Sequence, residues 1–336
     1  MSSSHEPLAL GIDIGATKIA SVLLAETGEE VRSSQVLTLA EEGPEAVLDK
    51  IAGQIQDLAR QTHGTLAGVG IGSPGQVDSD QGKVYNAVNL GWEEVDLLGE
   101  ISHRIHETLP VWIQKDTNLN ALGEYYFGAC QGLPDFVYLG IGSGLGAGIV
   151  SGGRLITGAN WYAADVGHLS VDPGGAVCAC GGRGCAETVA SGPGLVRATR
   201  QLLATRSMGS TLSGRTELRS TDILAAAREG DALALKAFAE VGRVLGVIMS
   251  ACTVILNPSR FVIGGGLGQA GYDFIVPAAQ QELRRRTIPV HRNSLEIVPS
   301  RVESPAVGAA CLVWYKLRSS TTNANHMGRS AEVKTS

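Results

Sequence analysis

The chain has 336 residues, 44% hydrophobic and 18% charged, which sets the expectation of a globular protein of about two domains. Its formal net charge is −6 and no Lys/Arg block stands out, which argues against a nucleic-acid-binding surface. No apolar run is read as long enough to span a membrane, and Met1–Pro7 is polar and unlike a signal peptide, so a cytoplasmic protein is expected. Residues 8–14 read as a buried strand carrying Asp13, and 19–25 and 31–39 as two more. Gly15-Ala16-Thr17-Lys18 between the first two is a hairpin signal. Val47, Leu48, Ile51, Ile55 and Leu58 recur at helical spacing and predict a helix over 44–62. A strand at 68–71 runs into Ser73-Pro74-Gly75. A helix at 97–109 and a strand at 111–114 deliver Lys115-Asp116, and a helix follows at 118–128.

The pattern then restarts. A strand at 136–142, a glycine-rich turn and a strand at 146–150 copy the opening hairpin, and 154–157 reads as a third short strand. Helices are expected at 195–203, 221–228 and 232–255, the last ending at Asn257-Pro258. A strand at 260–263 enters Gly264-Gly265-Gly266, read as a loop. A helix at 272–286, a strand at 295–299 and a helix at 305–317 close the chain. Residues 319–336 lack periodicity and are expected as a disordered tail. Two halves that open alike predict a duplicated α/β unit. The expected division is a small α/β domain over 1–117, to which the helix at 305–317 returns, and a large α/β domain over 118–304.

Cys178-Ala-Cys180-Gly-Gly-Arg-Gly-Cys185-Ala-Glu187 places three thiols within eight positions, and His168 lies ten residues upstream. Three Cys and one His make a closed tetrahedral zinc set. The competing reading is structural thiols or a disulfide. A reducing cytoplasm and the short Cys178–Cys180 spacing favour metal. Cys130, Cys252 and Cys311 read as small buried hydrophobes. Asp13-x-Gly15-x-Thr17-Lys18 and Gly142-Ser143-Gly144 have the small residues and hydroxyls of an anion cradle. Neither is a P-loop, and strands rather than helices are expected after both. Gly265-Gly266 could pass under a nucleotide base or ribose. Asp116 reads either as a catalytic carboxylate or as a helix N-cap.

With these landmarks in order, together with Pro74-Gly75, Asn89-Leu90 and Asp165-Val-Gly-His168, the chain resembles the ROK family of sugar kinases and sugar-responsive repressors from about Leu8 to Leu317. The resemblance implies a two-domain actin/hexokinase-like ATPase fold of duplicated ribonuclease-H-like units with a zinc-binding loop. It implies ATP-dependent phosphorylation of the 6-hydroxyl of a hexose, with glucose the best single expectation. The alternatives are an N-acetylhexosamine kinase, for N-acetylmannosamine or N-acetylglucosamine, and a catalytically weak sugar-binding regulator. By resemblance Asp116 is the base, and Gly75, Asn89, Asp116, Asp165, His168 and Glu187 meet the sugar. Asp13 serves Mg²⁺ through water, while Gly15, Thr17, Lys18, Ser143, Gly144, Gly265 and Gly266 hold ATP. Structural Zn²⁺ sits on His168, Cys178, Cys180 and Cys185. A homodimer or dimer of dimers is implied, and the chain reaches its first strand too early for the repressors' N-terminal winged helix. Three positions depart from the family pattern: Lys115 for Asn, Asp165 for Glu and Ser143 for Thr. Lys115 could pair with Asp116 and weaken it as a base, or favour another substrate.

Overall fold

Apolar runs form the central strands of the first sheet, and a second set of such runs forms another. The structure, a computed structural model, describes residues 6–62, 65–106, 109–205 and 209–332, the stretch 320–332 by its backbone alone. Two units are resolved. The first takes in residues up to Gln131, then 157–162 and the chain from Val302. The second takes in Gly132–Ile156 and Ala163–Arg301.

In the first unit Leu8–Ile14 (β1) and Lys18–Ala25 (β2) form an antiparallel hairpin with Ile14 opposite Ile19. Glu30–Leu37 (β3) is a mostly exposed edge. Pro44–Gln61 (α1) buries Val47, Leu48, Ile51, Ile55 and Leu58, as their spacing predicts. Leu66–Ser73 (β4) runs parallel to β1. Gln76–Asp78 (β5), Lys83–Ala87 (β6) and Trp92–Asp96 (β7) make a separate antiparallel sheet that periodicity did not reveal. Its strands have three to five residues, too short for a period to register, and only Val77, Val84, Ala87 and Trp92 point into the core.

Leu97–Arg104 (α2) stops five residues before the expected Leu109. His106 adopts a left-handed conformation at φ 58° and ends the helical path. Arg104 ties α2 to α1 by pairing with Glu45, Asp49 and Glu100. Val111–Lys115 (β8) adds the last parallel strand, giving the order β3-β2-β1-β4-β8, and Asp116–Tyr126 (α3) follows directly.

The second unit repeats this order. Phe136–Ile141 (β9), Leu145–Ser151 (β10) and Arg154–Leu155 (β11) form the antiparallel part. Gly192–Ala204 (α4), Ser220–Arg228 (α5) and Ala232–Leu256 (α6) follow. Arg260–Gly264 (β12) and Glu296–Pro299 (β13) run parallel to β9, in the order β11-β10-β9-β12-β13. Between them Gly266–Ala270 (α7) is a short helix where a loop was expected, followed by Tyr272–Arg286 (α8).

Among the described residues α6 is the one helix long and apolar enough to cross a membrane, contrary to the expectation that no run reached that length. Its apolarity serves the second core: Phe238, Val241, Leu245, Ile248 and Met249 are buried there.

Pro305–Glu332 (α9) returns to the first unit. Gly11 of β1 and Gly70 of β4 lie against its backbone. A Cβ at Gly70 would stand 1.9 Å from the Ala309 carbonyl oxygen, so only glycine admits this approach. The unit boundary falls at 131/132 rather than 117/118 because α3 also packs on α9, with Gly308 against the Leu119 carbonyl. Buried Glu124 then accepts the backbone N–H groups of Ala129 and Val302. The tail expected from 319 is helical as far as Glu332, since extending an existing helix carries no nucleation cost. Residues 333–336 lie outside the described residues.

Candidate active site

In each unit the parallel strands place chemistry at their carboxyl ends, where open α/β sheets bind ligands. In the first, β1 ends on Asp13-Ile14, β4 on Ser73 before Pro74-Gly75, and β8 on Lys115 before Asp116. Asp13 pairs across to Gly72, and Ser73 to Lys115, so these ends are level.

The Gly15–Lys18 turn is closed by Gly15 N donating to Lys18 O at 3.0 Å. Buried Thr38 braces it: its hydroxyl donates to Gly15 O at 2.7 Å, and its N–H to Thr17 O at 3.0 Å. No motif marked Thr38; a polar residue at the end of a sparse edge strand carries no signal of what it holds. Thr17 and Lys18 are exposed.

Asp13 is half-buried, and among the described residues no donor reaches its carboxylate. Burial, reinforced by the like charge of Asp116, pushes its pKa up to about 7, against the opposing pull of Lys18. Two neighbouring carboxylates, one without a donor, have the chemistry of a divalent-cation site. Asp116 is not the N-cap: Lys115 holds that place, and Asp116 stands in the first turn, accepting from Thr117 N at 2.6 Å. Gly75 has φ 89°, and a Cβ there would lie 2.6 Å from Tyr85 O. Asn89 is exposed in a 3-10 turn closed by left-handed Gly91.

In the second unit β9 ends at Ile141, and Gly142 N donates to Gly144 O at 2.9 Å across the Ser143 turn. Gly192 N, opening α4, donates to Gly142 O at 2.8 Å, so the helix start is fastened to the turn. Left-handed Gly265 lies so close to β9 that a Cβ would meet Ile141 O at 2.5 Å. Gly142, Ser143, Gly192, Gly266 and Leu267 line a cavity of about 820 Å³. The walls that α4 and α5 give this cavity went unread, because helix periodicity locates a core face and not a ligand-facing one.

Glu187 reaches the same turn. One carboxylate oxygen accepts from Leu145 N at 2.9 Å, and the other is not used in that bond. Asp165 precedes a 3-10 turn over Val166–His168. Trp161 and Ala164 just before it have φ 66° and 68°, unusual for residues with side chains and a mark of strain at functional segments.

The four predicted metal ligands come together. The ligand atoms of His168, Cys178, Cys180 and Cys185 all lie within 4.8 Å of one another. Cys180 and Cys185 Sγ stand 3.7 Å apart, and Cys178 Sγ stands 3.8 Å from His168 Nδ1. Zinc bonds of about 2.0–2.3 Å give tetrahedral edges of roughly 3.5–3.8 Å, so the set fits that ion. Gly184 shapes the loop at φ 69°, and a Cβ there would fall 1.6 Å from Asp172 O. Gly184→Ala is expected to lower the unfolding free energy by at least about 2 kcal/mol in urea titration. A loss below about 0.5 kcal/mol would show that the loop has room to shift.

The ROK family profile matches residues 9–316. A glucokinase of Halalkalibacterium halodurans is 34% identical over 278 residues, 81% of this chain and 84% of its own length. The crystal structure of a ROK family glucokinase from Streptomyces griseus, in complex with glucose and AMPPNP, has a TM-score of 0.77 and 32% identity. It covers 91% of this chain and 98% of its own. A ROK family transcriptional regulator, homologous to the Escherichia coli MLC protein, has a TM-score of 0.81 and 29% identity, covering 93% of this chain and 79% of its own.

Proposed function

The chain belongs to the ROK family, and on that premise we propose that it is an ATP-dependent kinase of the hexose 6-hydroxyl, with glucose as its first substrate. The observation that carries this reading is Asp116 at the carboxyl end of β8, level with the Asp13 turn and Gly75. Asp116 takes the proton of the 6-hydroxyl as its oxygen attacks the γ-phosphorus. Transfer of this kind rests on positioning and charge stabilisation. By the family resemblance, Gly15, Thr17, Lys18, Ser143 and Gly144 hold phosphate oxygens. Gly265 and Gly266 approach the nucleoside. Asp13 would hold Mg²⁺ through water, and the ion would supply positive charge to the phosphates of bound ATP. Gly75, Asn89, Asp165, His168 and Glu187 orient the sugar hydroxyls.

His168, Cys178, Cys180 and Cys185 would hold a structural Zn²⁺, which closes the loop on its own ligands. Nδ1 of His168 faces Cys178, which leaves Nε2 for a sugar hydroxyl. Cys180→Ser is therefore expected to lose the metal and weaken glucose affinity about tenfold or more. Elemental analysis and glucose titration check this; stoichiometric zinc absent from the wild-type protein contradicts it.

The similarity to a transcriptional regulator supports a second reading, a sugar-binding regulator with weak transfer. The kinase is favoured because the chain is 34% identical to the Halalkalibacterium halodurans glucokinase and 29% identical to that regulator. A coupled ADP-release assay over glucose, mannose, N-acetylmannosamine and N-acetylglucosamine decides among the readings. The highest kcat/KM is expected for glucose; a preference for an N-acetylated sugar transfers the function to that substrate. Lys115 and Asp165 bear on that preference. Asp165 is one methylene shorter than the family's Glu, so its bond to a sugar hydroxyl runs longer or through water.

Self-association into a homodimer or dimer of dimers is supported by an apolar patch. Val254 and Ile255 at the end of α6, with Ile288 and Val290, are 58–78% exposed. Earlier in α6, Val241, Val244 and Leu245 are buried core, and Trp314 of α9 is buried too. Light scattering at micromolar concentration is expected to give at least a dimer mass; a monomer mass contradicts this.

A further inference from the structure

The 820 Å³ cavity of the second unit has two ends of different chemistry. At one end stand the Gly142–Ser143 turn and the start of α4, fastened to it by the Gly192–Gly142 hydrogen bond. From there α4 runs along the wall, and Arg197 and Arg200 follow five and eight residues on, about 7.5 and 12 Å along the axis. Leu267 and Ala270 of α7 and Leu224 of α5 add apolar lining, and Ser220, close to Gly192, and Thr221 add hydroxyls. Among the described residues no acidic one lines the cavity. Neither guanidinium makes a hydrogen bond or ion pair with any described residue. Arg197 also borders a smaller cavity of about 210 Å³ holding Asp172 and Glu240, yet neither carboxylate comes within ion-pair distance of it.

We propose that Arg197 and Arg200 read the purine edge of the phosphoryl donor and make 6-oxopurine nucleoside triphosphates, GTP and ITP, donors bound at least as tightly as ATP. This rests on the reading of the cavity as the donor site. With the phosphates at the Ser143 turn, a base reaches along α4 towards Arg197 and Arg200. A guanidinium presents two parallel N–H groups, which match the paired O6 and N7 acceptors of guanine or hypoxanthine. Adenine offers N7 beside an N6 amino donor, so one of the two N–H groups finds no acceptor. Ammonium groups lack the fork, so lysine at either position keeps the charge and loses the match.

The test is calorimetric titration of ATP, GTP, ITP and inorganic polyphosphate, each with Mg²⁺ and without glucose, into the full chain. The wild type, the Arg197→Ala/Arg200→Ala pair and the corresponding lysine pair are compared after thermal melts show that each folds. GTP and ITP are expected to bind at least as tightly as ATP to the wild type. The GTP-to-ATP affinity ratio is expected to fall about tenfold in both the alanine and the lysine pairs. An unchanged ratio, or its recovery in the lysine pair, overturns the proposal by showing that charge alone acts. A loss confined to polyphosphate overturns it in favour of a chain anion. Failure of every nucleotide to bind the wild type removes the donor reading itself, an outcome distinct from ATP binding with no response to the arginines.

Discussion

Replacing Asp116 with asparagine is expected to lower kcat for glucose by at least about a hundredfold while changing glucose affinity far less. Asparagine keeps the size and the bond accepted from Thr117 N, since its carbonyl oxygen can replace the carboxylate oxygen there. It cannot take a proton. A loss confined to kcat is the pattern of an interaction used in the transition state. The two bonds to the Gln114 side chain, from Lys115 N at 2.8 Å and Asn118 at 3.1 Å, hold the strand-to-helix junction independently of the substituted group. Turnover within threefold of wild type would remove Asp116 from the role of base.

The second large effect is at Asp13, where function and stability should move in opposite directions. Its folded-state pKa, about 7, lies above the ordinary value of 3.8. The folded chain therefore holds a proton there that the unfolded chain releases, and stability falls as pH rises between these values. The cost is absent below about pH 4, where both states are protonated, and complete above about pH 7. By linkage it is on the order of 4 kcal/mol at most. Asp13→Asn removes that cost, so the variant should melt several degrees higher than the wild type at pH 8 without nucleotide or Mg²⁺. The gain should shrink towards pH 5. Activity should drop steeply, because asparagine replaces an anion where Mg²⁺ would gather its water ligands. An equal shift at both pH values, or none, would show that burial and Asp116 do not disfavour the Asp13 charge.

The strands that carry the site were legible for a simple reason. Leu8–Ile14 and Phe136–Ile141 are continuous apolar runs ending in polar or glycine turns, and such runs read as buried strands whatever surrounds them. The cysteine run was legible because its thiols are close in sequence and the glycines between them favour a tight loop. Partnerships made across the chain were not legible. Thr38 bracing the Gly15 turn, Glu187 accepting from Leu145 N, and α3 packing on α9 each join residues 21 or more positions apart with no local pattern. The β5–β7 sheet was hidden because strands this short leave no period, and Gly266–Ala270 because three glycines read as a loop while tertiary packing makes the turn of helix. No motif marks Arg197 and Arg200 on α4, and only the cavity shows that they line one.

The most direct test of the kinase reading is product identity. The zinc-loaded chain is incubated with ATP, Mg²⁺ and glucose, and the products are followed by ³¹P NMR. The expected result is glucose 6-phosphate formed one-to-one with ADP and lost in the Asp116→Asn variant. Glucose binding without any phosphorylated sugar, at protein concentrations comparable to substrate, would contradict the account and leave a sugar-binding regulator in its place.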